Sequence, residues 1–256
     1  MRINVYIPAS LMILAVVFSF SGGFPPACAG SSDVSSQPSP ENVPSLQESS
    51  LPDVPEKMIG SSSQVLLVRN TNPALCAVQV FTLEKRDGRW QTPFALMDGV
   101  IGKNGFAPQG EKREGDGRTP SGIFPLGMVF GYQPSFPTRM SYRQTDADDL
   151  WVDDVQADDY NRWTTKGTTK AASFERMRRD DDLYKLGVVV EYNTNPVIKG
   201  YGSAIFFHLW RGKGIPTAGC VALSEEDLGR IVRWLDPAAQ PVVIMGTNIT
   251  VENIKK

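Results

Sequence analysis

Cys220 and His208 are the two side chains whose types and spacing suggest covalent catalysis. His208 is the only histidine in the 256 residues and lies twelve positions before Cys220. An unperturbed thiol has a pKa of about 8.5, so only a few per cent of it is the nucleophilic thiolate near neutral pH. A neighbouring imidazole can take the thiol proton during attack. If the protein is a cysteine enzyme with a histidine base, that base is His208.

The residues around this pair have the composition of an active-site loop. Residues 202–209 predict a buried strand that ends near His208, and the breaker-rich residues 210–216 predict a loop. Thr217-Ala-Gly-Cys220 follows, where Gly219 allows a tight turn and a close approach to a substrate. Successive N–H groups there could form an oxyanion hole. The alternative is structural, because a lone cysteine is more often a small buried apolar residue than a nucleophile.

A mainly β domain must position these residues. Apolar runs predict strands at 64–69, 78–84, 90–97, 186–192 and 242–245. Asp87-Gly88 predicts a hairpin turn, because these residues tolerate positive φ. One helix is predicted after the N-cap Ser224, with acidic residues in its first turn and apolar residues at helical spacing, and it ends before Pro237. The predicted fold class is therefore mainly β with a few short helices.

The N-terminal part of the chain predicts export. Residues 1–29 have a positive start, a short apolar stretch and an Ala27-Cys-Ala29 cleavage pattern, which is typical of a signal peptide. Lipidation of Cys28 is an alternative, disfavoured because the preceding residues lack the usual aliphatic side chain. Residues 30–63 predict a Ser/Pro-rich disordered linker, and residues 64–256 predict one domain. We expect a protein of the periplasm or cell envelope that is not an integral membrane protein.

Charge and cysteine usage narrow the function classes. A net charge of −2 gives no electrostatic reason to bind nucleic acid, and no nucleotide-binding or zinc-finger spacing occurs, so we expect no cofactor and no metal. Cys76 and Cys220 remain after signal removal, and an exported protein could join them in a disulfide. Because a nucleophile must stay reduced, we expect both thiols to be free. The sequence makes no prediction about the oligomeric state.

An acidic segment, residues 146–159, places seven aspartates close to Trp151 and Tyr160. A solvated loop is the favoured interpretation. The functional alternative is a cleft wall, where Trp151 packs on a substrate and Asp153 attracts an ammonium group. Carboxylate oxygens also suit calcium, but the spacing does not match an EF-hand loop.

Three motifs, in order, resemble those of the L,D-transpeptidase catalytic domain family, also called YkuD-like. Asp116–Leu126 resembles its Thr-Pro-x-Gly-x-Phe signature, and Ile205–His208 resembles the strand that carries the catalytic histidine. Pro216–Leu223 resembles its Ser/Thr-His-Gly-Cys-Ile-Arg motif. The resemblance runs from about residue 64 to 246. It implies a β-sandwich-like fold and a role in the cell wall, with peptidoglycan stem peptides as substrates.

By position, the resemblance makes Cys220 the nucleophile, His208 the general base and acid, Gly219 the glycine before the nucleophile, and Thr217 a substrate-site residue. Family members attack the carbonyl between a diamino acid and a terminal D-alanine, and an amine then resolves the thioester to a 3→3 cross-link. Water resolves it in an L,D-carboxypeptidase or endopeptidase. A wall-binding module that has lost catalysis is a third alternative.

Two positions depart from the family pattern. Ala218 replaces the motif histidine, and Ala222 replaces an arginine linked to holding the motif or the donor carboxylate. Arg211, between the two catalytic positions, is a candidate to replace that charge. His208 also needs an orienting group, for which the family often uses a backbone carbonyl. Asn193 is a side-chain alternative, although a turn position is its favoured interpretation.

Overall fold

The structure, a computed structural model, describes residues 52, 54–70, 72 and 74–247. The predicted signal peptide, Cys28 and most of the predicted linker lie outside the described residues. The strands are β1 (Gln64–Asn70), β2 (Ala77–Arg86), β3 (Arg89–Gln91), β4 (Met97–Val100), β5 (Gly122–Gly131), β6 (Tyr142–Gln144), β7 (Asp149–Val152), β8 (Trp163–Thr165), β9 (Phe174–Arg176), β10 (Leu186–Val190), β11 (Phe206–Leu209), β12 (Val221–Leu223) and β13 (Val242–Thr247). One α-helix, α1 (Glu225–Trp234), and a 3₁₀ turn at Pro237–Ala239 complete the described elements. The predicted mainly β fold with few short helices is confirmed.

The main sheet closes on itself. Its strands follow the order β1-β13-β5-β10-β11-β12-β4-β2-β3, and β2 also pairs with β1. β6 adds to β5 outside this path. Closure pairs the strand edges that an open sheet would expose, and apolar side chains fill the space between the strands.

β11 carries His208, and Cys220 immediately precedes β12. The two strands are parallel neighbours, with Phe207 opposite Val221 and His208 opposite Ala222. Side chains alternate between the two faces of a strand, and Phe207 and Val221 are fully buried in the main core. His208 and Cys220 therefore lie together on the opposite face of the sheet.

α1 covers the main core directly after β12. The Ser224 side chain accepts a hydrogen bond from the Asp227 N–H, as expected for an N-cap. The apolar face of the helix is fully buried and consists of Leu228, Ile231, Val232 and Leu235. The predicted helix is confirmed. None of the described helices is long and apolar enough to cross a membrane.

The hairpin after β2 confirms the predicted turn but not the length of its return strand. Asp87 and Gly88 adopt φ angles of 50° and 79°. β3 ends at Gln91, whereas a strand was expected to continue to residue 97. Pro93 lacks the N–H that a continued ladder requires, so pairing resumes only at β4.

The last ten residues of the predicted linker, 54–63, pack on the main sheet. Val54 and Ile59 are buried against Val65 and Leu67 of β1. The packed domain therefore begins before residue 64. Burial of these two apolar side chains offsets the conformational entropy that the segment loses when it becomes ordered.

A second, three-stranded sheet with the order β8-β7-β9 holds much of the acidic segment. Asp149 is buried, accepts a hydrogen bond from Trp163 Nε1 at 2.8 Å, and pairs with Arg143. Asp154 accepts hydrogen bonds from two backbone amides. These aspartates hold the local structure together. The favoured interpretation of a solvated loop is therefore wrong for residues 149–152, which form the buried strand β7.

Candidate active site

A cavity of about 620 Å³ opens on the sheet face that carries His208 and Cys220. This volume is typical of small-molecule sites. Its walls include six of the seven predicted site residues, namely Cys220, His208, Gly219, Thr217, Arg211 and Asp153. Trp151 is not among the described residues that line it. That indole is buried behind the cavity, with its ring 5.0 Å from Phe206 and its Nε1–H bonded to Asn161.

The Cys220 thiol is held by the backbone. Its Sγ donates to the Ala204 carbonyl at 3.1 Å and accepts from the Phe206 N–H at 3.3 Å. Burial raises the pKa of Cys220 to about 12, and the hydrogen bond from Phe206 offsets only part of that effect. At neutral pH the resting side chain is therefore a thiol and not a thiolate.

The two cysteines differ in redox state. Cys220 is a free thiol, so the expectation that it stays unpaired is confirmed. Cys76 is disulfide-bonded, so the expectation that both thiols are free is wrong for Cys76.

His208 is oriented by a backbone carbonyl. Its Nδ1 lies 2.7 Å from the Leu209 oxygen. A carbonyl oxygen only accepts hydrogen bonds, so Nδ1 carries the hydrogen and Nε2 keeps a free lone pair. Burial lowers the pKa of His208 to about 4, although the Leu209 hydrogen bond raises it. The rings of Tyr184 and His208 pack in a T-shaped arrangement with their centroids 5.3 Å apart. The Asn193 amide, the side-chain alternative, instead donates to the carbonyls of Ile198 and Gly202.

Two threonine hydroxyls fix the loop before β12. Thr217 Oγ1 accepts from the Gly219 N–H at 3.1 Å and donates to the Cys220 carbonyl at 2.6 Å. Thr119 Oγ1 accepts from the Gly102 N–H at 3.0 Å and donates to the Gly219 carbonyl at 2.7 Å. Thr217 is thus occupied within the loop, and the Gly219 N–H is not free for a substrate.

Gly219 is required by close packing. A Cβ at this position would lie 3.0 Å from the Arg118 carbonyl oxygen and 3.5 Å from the Ile205 side chain. The glycine therefore lets the nucleophile loop lie directly against the segment that contains Thr119.

The cations of the cavity differ in how far they are already neutralised. Lys112 pairs with Asp116 at 2.7 Å. Arg179 pairs with Glu175 at 3.1 Å and with Asp181 at 2.8 Å. Lys103 and Arg211 also line the cavity, and neither forms an ion pair with the part of the chain that the structure describes. Among the described residues, these two cavity cations are therefore available to bind an anion, although the hydrogen bond from Arg179 and, more weakly, the charge of Arg211 lower the pKa of Asp181.

Two carboxylates of the cavity have no cationic partner among the described residues. Glu114 Oε2 accepts from the Tyr160 hydroxyl at 2.5 Å and from Ser203 Oγ at 2.7 Å. Asp153 Oδ1 is buried without a hydrogen-bond partner in the described region. Burial raises the pKa of Asp153, and the charge of Glu114 raises it further. The cavity therefore holds uncompensated charge of both signs.

Sequence reasoning missed several of these residues. Lys112 and Glu114 lie just before the Asp116–Leu126 motif. Their position next to a family motif could have identified them as candidate site residues. Thr119 lies inside that motif. Glu175 and Arg179 reach the cavity only through the pairing of β9 with β7, which no local pattern reveals.

A model of the L,D-transpeptidase catalytic domain, YkuD, matches residues 78–244. The chain belongs to this family. The matched segment contains the cavity walls and both Cys220 and His208. Ala218 and Ala222, the two departures from the family motif, both line the cavity, so methyl groups stand where the family carries an imidazole and a guanidinium.

Comparisons with individual proteins add less. No curated protein matches the chain. Among solved structures, Bd1075 from Bdellovibrio bacteriovorus is 13% identical with a TM-score of 0.41, and the match covers 76% of this chain and 53% of that one. The helical cell shape determining protein Pgp2 from Campylobacter jejuni is 18% identical with a TM-score of 0.36, covering 75% of this chain and 52% of that one. The chain spans about half the length of these proteins, and likeness at this level carries no argument about the site.

Proposed function

We propose that this protein is an exported peptidoglycan L,D-transpeptidase that forms a thioester on Cys220. One observation carries the proposal: a free thiol and an imidazole with a free Nε2 share one face of neighbouring parallel strands and line one cavity. Membership of the family supplies the substrate class, the stem peptide of peptidoglycan.

In the acylation step, the Cys220 sulfur attacks the carbonyl carbon between the diamino acid and the terminal D-alanine. The thiol proton moves to His208 Nε2 as the S–C bond forms. The two pKa shifts favour the neutral pair, so proton transfer accompanies the attack and does not precede it. The imidazolium then protonates the leaving amine, the C–N bond breaks, and a thioester remains.

The Cys220 N–H is the donor best placed to stabilise the oxyanion. It belongs to the nucleophile itself, and the N–H before it, on Gly219, is already bound by Thr217. A preorganised donor at this position stabilises charge that develops only in the transition state. An amine of a second stem then attacks the thioester, the thiolate leaves, and a 3→3 cross-link forms.

The charges of the cavity suit a zwitterionic substrate. A diamino acid in a stem peptide presents an ammonium group, and Asp153 and Glu114 are the carboxylates available to it. A carboxylate of the donor stem would meet Arg211, which replaces the charge absent at Ala222. Lys103 is the second cation available for that role.

Purified protein incubated with a disaccharide-tetrapeptide that ends in D-alanine tests the proposal. We expect a cross-linked dimer in the mass spectrum of the products. Cys220→Ala should abolish it without unfolding the protein, because a small side chain fits the site. His208→Ala should lower the rate by about 100- to 10,000-fold, as expected for the loss of a general base.

The other outcomes are equally specific. Tripeptide without dimer would identify an L,D-carboxypeptidase that uses the same thioester. Product formation by Cys220→Ala at the wild-type rate would overturn the cysteine mechanism. No turnover, together with no mass increase at Cys220 after exposure to a carbapenem, would refute catalysis and favour the alternative of a wall-binding module.

A further inference from the structure

We propose that Thr119 is a positioning residue that sets the direction of the Cys220 N–H. This inference rests on the proposed function, because it concerns how the oxyanion of that reaction is stabilised. Thr119 is fully buried, does not line the cavity, and reaches the nucleophile loop only through its hydroxyl.

The geometry of the peptide bond connects the two groups. Thr119 Oγ1 donates to the Gly219 carbonyl at 2.7 Å, and that carbonyl belongs to the same peptide plane as the Cys220 N–H. In a trans peptide the C=O and N–H point in opposite directions. With its carbonyl held toward buried Thr119, the plane presents the Cys220 N–H on its other side, which is the side of the cavity wall formed by Gly219 and Cys220.

The neighbouring planes are fixed independently. Thr217 Oγ1 holds the N–H of Gly219 in the preceding plane and the carbonyl of Cys220 in the following one. Of the three consecutive planes, only the central Gly219–Cys220 plane depends on Thr119. Loss of that one hydroxyl would free the plane that carries the oxyanion donor and would leave the thiol contacts with Ala204 and Phe206 in place.

Thr119 is itself rigidly held. Its N–H donates to the Gly105 carbonyl at 2.9 Å, its own carbonyl accepts from the Ala107 N–H at 2.8 Å, and its hydroxyl accepts from the Gly102 N–H at 3.0 Å. The Gly102 N–H can only donate to the hydroxyl oxygen, so the single hydroxyl hydrogen is directed to the Gly219 carbonyl. These two partners fix the orientation of the hydroxyl, which a positioning group requires.

Two thiol reagents distinguish a loss of oxyanion stabilisation from a general disturbance of the site. A carbapenem acylates a cysteine through a tetrahedral oxyanion: the S–C bond forms, the lactam C–N bond breaks, and the lactam nitrogen takes the proton. Iodoacetamide alkylates a thiolate by displacement of iodide at a saturated carbon, with no oxyanion. Thr119→Val should slow carbapenem acylation about 10- to 100-fold, somewhat less than removal of an oxyanion donor, and should leave the alkylation rate and its pH profile unchanged.

Thr119→Ser keeps the hydroxyl and should restore most of the acylation rate. Ser121→Ala is the matched control, because Ser121 is buried in the same motif and its hydroxyl donates to the Ala107 carbonyl at 2.6 Å, away from the nucleophile loop. We expect wild-type acylation from this control. Equal acylation by Thr119→Val and wild type would overturn the proposal, as would equal slowing of both reagents.

Failure of the proposed function would look different. Wild-type protein that is alkylated but neither acylated nor active on stem peptides would refute the transpeptidase proposal. The role of Thr119 would then be decided by crystal structures of wild type and Thr119→Val. An unchanged Gly219–Cys220 peptide plane in the variant would refute it, and a rotated plane would support it.

Discussion

The reactivity of Cys220 as a function of pH separates a neutral thiol–imidazole pair from a preformed ion pair. Burial raises the pKa of the Cys220 thiol to about 12, well above the value of about 8.5 for an unperturbed thiol. At pH 8, an unperturbed cysteine is about 25% thiolate, whereas a thiol with a pKa of about 12 is about 0.01% thiolate. We therefore expect native Cys220 to hold about 2000-fold less thiolate than an exposed cysteine.

Alkylation by iodoacetamide measures this fraction, with the modified site identified by intact mass and peptide mapping. The second-order rate should rise about tenfold per pH unit between pH 7 and pH 10, because only the thiolate reacts. The slope does not depend on how easily the reagent enters the cavity, since access is the same at each pH. Cys220→Ala provides the blank, and urea-unfolded protein provides the unperturbed thiol.

An ion pair would behave in the opposite way. Protonated His208 would stabilise the thiolate, the rate would reach a plateau below pH 7, and removal of the imidazole would lower it. Such a plateau would refute the neutral pair. By our reasoning His208→Asn leaves the slope unchanged, because an imidazole with a pKa of about 4 carries no charge at neutral pH.

Two further results are expected. The pKa of His208 is about 4 in the folded protein, against an ordinary value of 6.5. Between these values the unfolded chain binds a proton that the folded chain does not. Acidification from pH 6.5 to 4 should therefore remove up to about 3 kcal/mol of the free energy of unfolding. Urea titrations at pH 7 and 4.5 should show a smaller loss in His208→Gln, and identical losses would contradict the shift. Asp153→Asn should raise the KM for the amine-bearing stem about fivefold, an effect that weakens with salt, because it removes a partly desolvated carboxylate from the cavity. Asp158→Asn is the matched control, because Asp158 lies in the same segment but is exposed and outside the cavity lining. An equal KM in both variants would show that the Asp153 carboxylate does not bind the substrate.

Local sequence patterns predicted the elements whose formation depends mainly on neighbouring residues. Ser224 and the apolar spacing after it defined α1, and the Asp87-Gly88 pair defined the hairpin turn. Pairing between distant strands was not available from such patterns. The parallel register of β11 with β12 places His208 and Cys220 on one face, and a shift of one residue would separate them.

In the candidate site, too, residue types were predicted from the sequence, whereas their packing and backbone partners were not. Cys220 and His208 were proposed from residue type and motif, but the orienting carbonyl of Leu209 is a backbone group that has no sequence signature. In the functional alternative for the acidic segment, Trp151 packs on a substrate at the cleft wall, yet its indole N–H is bound by Asn161 in the core. Exposure of a single side chain depends on tertiary packing, which composition does not encode.

Burial protects the Cys220 sulfur from oxidation. Peroxide and disulfides react with thiolates much faster than with thiols, and exposed thiolates are oxidised first to sulfenic acid. A thiol that is 8% exposed and has a pKa of about 12 is a poor target for both reactions. If the protein is exported as proposed, Cys220 can therefore remain reduced in an oxidising compartment without a dedicated reductant.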